Sequence, residues 1–291
     1  MGTRTGQFPI GFRRGGGWQK DLGSLCAWAK GQGFDTLDLG KGTPEDLAVL
    51  KKAGLRVGTV DLLNARALLS PDGGKRKEAV AQNLDYLKTC VAHGAKLFFT
   101  VAMPEDVEKP RAENHKLAVE SFGALGAAAR EAGARILFEG WPGGERVPNL
   151  YCNPETLRAI FKDTDCGALG INYDPSHLIR MGIDHVRFVE EFAARIGHIH
   201  AKDTEVFEEN VYDYGLFQHG AFGKPHGYGG FTWRYTIPGH GCARWTRILK
   251  VMAASAYQGA VSVELEDENF NGTEDGEKAA LKVSLEFLRS T

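Results

Sequence analysis

Four residues with metal-binding side chains lie at or near the ends of the last four short apolar runs of this 291-residue chain. Three are carboxylates and one is an imidazole. If the runs are parallel strands of a barrel, their carboxyl ends bring these side chains together at one mouth. Such a set suits one hard-to-borderline divalent cation, namely Mn²⁺, Mg²⁺, Co²⁺ or Zn²⁺. The four residues are Glu139, Asp174, His200 and Glu264.

Each of these residues alone has an ordinary structural explanation, because an acid at a strand end often caps a helix or contacts a loop. The four together favour a metal. Without a cation, several carboxylates at one barrel mouth would repel one another and resist ionising. The sequence therefore predicts one divalent metal ion held by this set.

Other polar residues follow two of the predicted ligands closely. His177 lies three residues after Asp174, and Lys202 and Asp203 directly follow the His200-Ala pair. These side chains offer donors and a cation that could bind the hydroxyls or the carbonyl oxygen of a substrate.

Two further positions have alternative explanations. His198 and His200 are two residues apart, and such residues share a face of a strand, so both can point inward. A buried, hydrogen-bonded structural histidine fits His198 equally well. Glu266 and Asp267 follow Glu264, which already fills the strand register, so we interpret them as supporting or loop residues.

Short apolar runs alternate with helix-forming segments along the chain, and several runs are apolar at nearly every residue, as in buried parallel strands. One helix is predicted from Thr43 as the cap to Gly54 at the end. Eight such alternations predict an α/β fold, a single (β/α)8 TIM barrel over residues 1–291, with an open doubly wound sheet as the alternative. The expected strands are residues 8–12, 36–39, 56–62, 96–101, 135–139, 169–174, 196–203 and 260–267, and the other expected helices are residues 75–94, 111–133, 153–162, 185–195, 243–259 and 277–289.

A long loop insertion interrupts this alternation at about residues 204–242, after the seventh strand. Long loops at the carboxyl end of barrel strands are usually functional. Trp233, Arg234, His240 and Arg244 are its candidate substrate contacts, because aromatic rings stack on sugars and arginine binds anions. The segment is expected to act either as a lid or as a docking surface for another subunit, so a homo-oligomer is also open.

The amino-acid composition limits the classes of binding partner that we expect. The 35 basic and 37 acidic residues leave a formal net charge of −2, which gives no general attraction to nucleic acid or to an anionic membrane. No stretch resembles a signal peptide or reaches the roughly 20 apolar residues of a membrane span. The five scattered cysteines form no Cys-x-x-Cys pair and suggest no disulfide framework. We therefore expect a cytoplasmic protein with a small-molecule partner.

The predicted ligands and their neighbours resemble a known pattern. Glu139, Asp174-Pro-Ser-His177, His200-Ala-Lys-Asp203 and Glu264 are similar to the Glu…Asp-x-x-His…His-x-Lys-Asp…Glu pattern of the xylose isomerase-like sugar phosphate isomerase/epimerase superfamily. The first half of the chain matches only as alternating strands and helices. The resemblance implies a metal-dependent barrel in which these residues hold the ion and the two glutamates also move protons next to a carbonyl.

The resemblance leaves the reaction open. The leading hypothesis is a sugar isomerase or epimerase, in which the metal stabilises an enediolate while one glutamate removes a proton and the other returns it. The alternative is a lyase or hydratase that uses the same enolate. Residues 231–239 and 261–268 resemble a subgroup associated with 3-keto sugars and glycoside cleavage by elimination.

Two other classes fit less well. A DNA-repair endonuclease of the related barrel type needs about three metals and more histidine ligands. The first four expected strands end in no histidine, which counts against it. A non-catalytic sensor that has kept the metal is distinguished by cellular function that survives Glu139→Ala.

Overall fold

The protein is described by a computed structural model that covers residues 2–144, 149–164, 166–217 and 219–291. Parallel strands form its centre and helices surround them. The strands of the central sheet are β1 Ile10–Arg13, β2 Thr36–Asp38, β3 Arg56–Val57, β4 Val60–Asp61, β5 Leu97–Thr100, β6 Arg135–Glu139, β7 Leu169–Tyr173, β8 Ile196–Ala201 and β11 Val261–Val263, while β9 Asp203–Val206 and β10 Trp233–Thr236 form a separate pair.

The central sheet follows the order β3-β2-β1-β11-β8-β7-β6-β5-β4. Among the described residues, neighbouring strands within it pair in parallel. Its two outer members, β3 and β4, are consecutive in the chain, so the sheet is a nearly closed barrel. This arrangement confirms the predicted TIM barrel and rules out the open doubly wound sheet.

The third expected strand, residues 56–62, is interrupted at Gly58 and Thr59. The β3 half pairs with β2, and the β4 half pairs with β5. Backbone hydrogen bonds continue across the break, since Gly58 donates to Leu37 and Thr59 accepts from Leu39. The nine strands therefore fill eight barrel positions.

The helices follow the capping signals of the sequence. Thr43 forms a capping box with Asp46 at the start of one helix, and Gly54 ends that helix with a left-handed φ of 71°. Apolar residues of the helices pack on the barrel and form one buried core. The helices are α1 Leu22–Gln32, α2 Pro44–Ala53, α3 Gly73–Ala92, α4 Arg111–Glu131, α5 Pro154–Thr164, α6 Pro175–Arg180, α7 His185–Phe192, α8 Glu208–Tyr214, α9 Trp245–Ala254 and α10 Glu274–Ser290.

Several expected strand ends are wrong. The eighth barrel strand ends at Val263 rather than residue 267. The seventh barrel strand ends at Ala201 rather than residue 203, because the backbone from Asp203 onward leaves the barrel and pairs with β10. The sixth ends at Tyr173, because Asp174 caps α6 and its Oδ1 accepts a hydrogen bond from Ser176 N–H.

The insertion at residues 204–242 is more ordered than the expected loop. Strands β9 and β10 form an antiparallel ribbon, and α8 lies between them in the chain.

Within the described parts of the chain, each helix is too short or too polar to cross a lipid bilayer.

Candidate metal centre and active site

Four consecutive barrel positions bring the predicted ligands to one mouth. Glu139 is the last residue of β6, Asp174 directly follows β7, His200 lies in β8 and Glu264 directly follows β11. One ligand atom from each of them lies within 4.8 Å of the others, and all four side chains are buried or nearly so. We call these four residues the ligand group.

Several polar atoms of the ligand group lie close to one another but do not form hydrogen bonds with one another. His200 Nδ1 lies 2.6 Å from Glu139 Oε2 and 3.5 Å from Glu264 Oε2. Within the described chain, His200 Nδ1 and Asp174 Oδ2 are buried without a hydrogen-bond partner. Buried acceptors that converge in this way fit a cation as their missing partner. The group could therefore hold a divalent metal ion.

Positive side chains offset the carboxylates of the ligand group. Lys202 Nζ lies 2.5 Å from Glu264 Oε2, 2.8 Å from Glu266 Oε2 and 3.4 Å from Asp174 Oδ2. Burial lowers the pKa of Lys202, but these carboxylates raise it by a larger amount, so the pKa lies well above its ordinary value. Burial raises the pKa of Glu264, but Lys202 and His200 hold it well below its ordinary value. The predicted substrate contact Lys202 is thus a buried partner of the ligand group.

Histidines keep the other glutamate ionised. Burial and the Glu264 carboxylate raise the pKa of Glu139, but His200 and His177 lower it by more, to about 2. Asn172 also donates a hydrogen bond to Glu139 Oε2 at 2.6 Å. Burial lowers the pKa of His200, whereas Glu264 and Glu139 raise it, so its pKa lies well above the ordinary value.

His177 lies beside the ligand group and is held by the insertion. Its Nε2 is 3.4 Å from Glu139 Oε1 and 3.3 Å from Asp174 Oδ2. Its Nδ1 is 2.7 Å from the hydroxyl of Tyr235, to which Arg180 donates at 2.7 Å. Because Arg180 donates to that hydroxyl, the hydroxyl proton is available to His177 Nδ1.

Adjacent residues of β10 point to opposite faces of the strand. Trp233 and Tyr235 both face Arg180, whose guanidinium lies 4.3 Å from the Trp233 ring centroid. Arg234 instead donates to Glu205 at 2.8 Å and to Glu268 at 2.7 Å. The strand therefore places Trp233 on the side of His177 and directs Arg234 to the other face.

The contacts described for four other predicted residues are with groups outside the ligand group. His240 and Arg244 are exposed, and Arg244 lies 3.8 Å from Asp184. Asp203 accepts hydrogen bonds from Trp245 Nε1 and from backbone N–H groups, so it organises the insertion. Asp267 likewise accepts from the backbone of Ile237.

The first half of the barrel contributes residues that the sequence analysis missed. Arg13, at the end of β1, donates to both oxygens of Asp61, at 3.0 and 2.7 Å. Its Nε lies 3.5 Å from Glu264 Oε1, and its guanidinium lies 4.6 Å from the Phe99 ring centroid. Arg13 and Asp61 also lie at strand ends, and this position is the sequence signal that could have identified them.

Asp38, at the end of β2, was missed as well. Its Oδ2 lies 2.9 Å from His198 Nε2 and 3.5 Å from His200 Nε2, and all three side chains are fully buried. Burial raises the pKa of Asp38, but the two histidines lower it by more, so it stays below its ordinary value. His198 thus satisfies both earlier descriptions, since it points inward and is a hydrogen-bonded buried histidine.

The fold and the ligand group together define a class of α/β barrel with a candidate metal centre at the carboxyl ends of its strands. Residues 26–291 match the family model of the xylose isomerase-like TIM barrel, and the chain belongs to that family.

Two curated relatives are similar to this chain in sequence, and a solved structure is similar to it in fold. The chain is 26% identical over 253 residues to an inosose dehydratase of Clostridium perfringens, covering 81% of this chain and 79% of the relative. It is 30% identical to the uncharacterized protein YfiH of Bacillus subtilis, over 49% of this chain and 43% of that protein. The structure of 3-keto-D-glucoside 4-epimerase YcjR from E. coli has a TM-score of 0.71 at 18% identity, covering 97% of this chain and 99% of that one.

Proposed function

We propose that this protein is a divalent-metal-dependent enzyme that isomerises or epimerises a keto sugar by moving a proton at a carbon next to the carbonyl. Glu139, Asp174, His200 and Glu264 would hold the ion. When bound, a divalent cation polarises the substrate carbonyl and so acidifies the neighbouring C–H. We propose Mn²⁺, because three carboxylates and one imidazole form an oxygen-rich, borderline donor set, with Mg²⁺, Co²⁺ and Zn²⁺ as alternatives.

The observation that carries the proposal is the placement of the two glutamates. Each has Oε2 beside His200 Nδ1 within the ligand group. The remaining oxygens face different neighbours, since Glu139 Oε1 lies near His177 and Glu264 Oε1 lies near Arg13. Two separately placed carboxylates allow one to remove the proton and the other to return it, as epimerisation requires.

Neighbouring side chains fit roles on the substrate. His177 can present Nε2–H to a substrate oxygen when Tyr235 donates to Nδ1. Lys202 can donate to an oxygen of the substrate beside Glu264 and help to hold that carboxylate ionised. Trp233 offers an aromatic face for a sugar ring.

We propose that the insertion covers the reacting carbon. This interpretation is supported by Tyr235, which extends from β10 to His177, and by the Trp233 ring beside Arg180. Exclusion of water there would limit side reactions of the deprotonated substrate. The exposed apolar side chains of the same segment, Tyr212, Leu216, Phe217 and Phe222, are the alternative docking surface for a second copy.

Elimination is a second candidate reaction. It is favoured by the inosose dehydratase relative, whose match covers 81% of this chain. Both reactions begin with removal of a proton next to a carbonyl, but elimination then expels water from the adjacent carbon. The two reactions therefore share Glu139 and Glu264 and differ in the product.

The proposal is tested by incubating Mn²⁺-loaded protein in D₂O with a panel of ketoses, 3-keto sugars and cyclic polyol ketones. We expect deuterium at the carbon next to the carbonyl, detected by NMR and mass spectrometry. An unchanged formula with inverted configuration identifies an epimerase, and the loss of one water identifies a dehydratase.

Two glutamate variants test whether deuterium exchange depends on the ligand group. Glu139→Gln should slow deuterium exchange by roughly 10²–10⁴-fold, the usual contribution of a general acid or base. Glu113→Gln changes an exposed glutamate of α4 and serves as the control. Full exchange by the Glu139→Gln protein, or no exchange by metal-loaded wild type with any substrate of the panel, contradicts the proposal.

A further inference from the structure

A buried carboxylate faces the nitrogen of His200 that is turned away from the ligand group. Asp38 lies in the half of the barrel that supplies none of the four proposed ligands. Its Oδ2 is 3.5 Å from His200 Nε2, whereas His200 Nδ1 is 2.6 Å from Glu139 Oε2. The two nitrogens of one imidazole ring thus face two different groups.

The Asp38 carboxylate is held firmly in this position. Its Oδ1 accepts a hydrogen bond from Thr59 N–H at 3.1 Å, and its Oδ2 lies 2.9 Å from His198 Nε2. A Cβ atom on Gly58 would lie 1.7 Å from Oδ1. The interruption of the third strand at Gly58 and Thr59 therefore provides both the space and a donor for this carboxylate.

The ring of His200 is fixed as well. Phe99 stacks on it, with ring centroids 5.6 Å apart and planes inclined by 27°. The ring is fully buried. The orientation that presents Nδ1 to the ligand group is thus set by packing, while the position of the imidazole proton is left to the charges on either side.

We propose that Asp38 is a positioning residue that keeps the proton of neutral His200 on Nε2 and so leaves the Nδ1 lone pair for the metal ion. This inference rests on the proposed metal binding. A neutral imidazole carries one N–H. In the metal-loaded protein Glu139 would bind the ion, so Asp38 would be the carboxylate left to accept a proton from the ring, at Nε2. His198 assists by holding the same carboxylate oxygen.

The first test needs no variant. Long-range ¹H–¹⁵N NMR of Zn²⁺-loaded wild-type protein reports which nitrogen of each histidine ring carries the proton. The expected result is a proton on Nε2 of His200 and metal coordination through Nδ1. A proton on Nδ1, with coordination through Nε2, overturns the role of Asp38.

The second test compares two charge-removing variants. Asp38→Asn should weaken Co²⁺ binding, followed by visible absorption, by roughly 10–100-fold, the usual effect of losing the outer partner of a metal-binding histidine. It should also populate both His200 tautomers in the Zn²⁺ form. Asp61→Asn removes a negative charge from the same end of the barrel, where the carboxylate contacts Arg13, and should weaken Co²⁺ binding much less.

The outcomes separate this inference from the proposed function. Equal Co²⁺ affinity in wild type and Asp38→Asn, or equal weakening by both variants, overturns the role of Asp38 alone. Absence of Co²⁺ binding by wild-type protein overturns the proposed metal centre itself. Circular dichroism and melting temperatures confirm that both variants are folded.

Discussion

The strands of the second half of the barrel end in the proposed metal ligands, whereas those of the first half end in side chains that contact these ligands from outside. Glu139 and Glu264 belong to the first kind, and Arg13 and Asp38 belong to the second. Both kinds occupy the same mouth. The difference teaches that a ligand pattern describes only half of such a site, because bare carboxylates and an imidazole also need neighbours that fix their charge and direction.

The largest expected effect is the difference between substituting the proposed ligand His200 and substituting its neighbour His177. His200→Ala removes a proposed ligand and should abolish both metal binding and turnover. His177→Ala should retain the metal yet reduce turnover by roughly 10²–10⁴-fold, because His177 would act on the substrate. Metal analysis together with deuterium exchange measures both. Equal metal loss in the two variants would show that His177 is a ligand.

Metal binding should depend on pH. Burial lowers the pKa of His200, but Glu264 and Glu139 raise it by more, so it lies well above its ordinary value and the metal-free imidazole keeps its second proton to higher pH. The ion must displace that proton, and apparent affinity should rise about tenfold per pH unit below this pKa. Calorimetry in buffers of different ionisation enthalpy should detect about one proton released per ion. Metal uptake without proton release would contradict this charge assignment.

The raised pKa of His200 also makes the stability of the metal-free protein depend on pH. A raised pKa in the folded state means that charged His200 stabilises the fold fully below the unfolded value and loses this contribution as pH rises through the folded value. The melting temperature of the metal-free protein should therefore fall at alkaline pH, and His200→Ala should fall less over the same range.

Arg13 tests the first half of the barrel directly. Its guanidinium is among the groups that lower the pKa of Glu264. Arg13→Gln should retain the metal and shift the acidic limb of the pH–rate profile upward by about one unit, because loss of an opposite charge raises a carboxylate pKa. An unchanged profile would show that the contact with Glu264 is unimportant for catalysis.

The smallest effects concern the two faces of β10. Trp233→Ala should raise KM by about tenfold, since an aromatic platform contributes on the order of 1 kcal/mol or slightly more. Arg234→Ala should change kcat/KM by less than about threefold, because its partners are Glu205 and Glu268 at a partly exposed position. A larger loss of kcat/KM in Arg234→Ala would indicate that Arg234 contacts the substrate. Light scattering of both variants checks for a change in oligomeric state.

Much of the fold and of the ligand group could be predicted from the sequence. Apolar runs that alternate with capped helices define a barrel, and a barrel brings its strand ends together. Glu139 and Glu264 could therefore be placed near each other although 125 positions separate their numbers. The ends of individual strands were less certain, because Asp203 begins a new strand only through its pairing with Thr236.

The remaining neighbours depend on three-dimensional detail. Asp38 contacts His200 because the third strand is interrupted at Gly58, which no periodicity signals. Trp233 and Arg234 are adjacent in sequence, and only the register of β10 on β9 decides which of them faces Arg180. Local patterns therefore identified the candidate ligands, while tertiary packing determined what surrounds them.

The stoichiometry of Mn²⁺ binding to metal-free protein tests the central claim most directly. Electron paramagnetic resonance of free Mn²⁺ during a titration gives the number of ions bound per chain. The account predicts one tight site that disappears in His200→Ala, because the two ligand clusters found among the described residues share that histidine. No tight binding, two or more tight sites, or a single site that survives His200→Ala would contradict it.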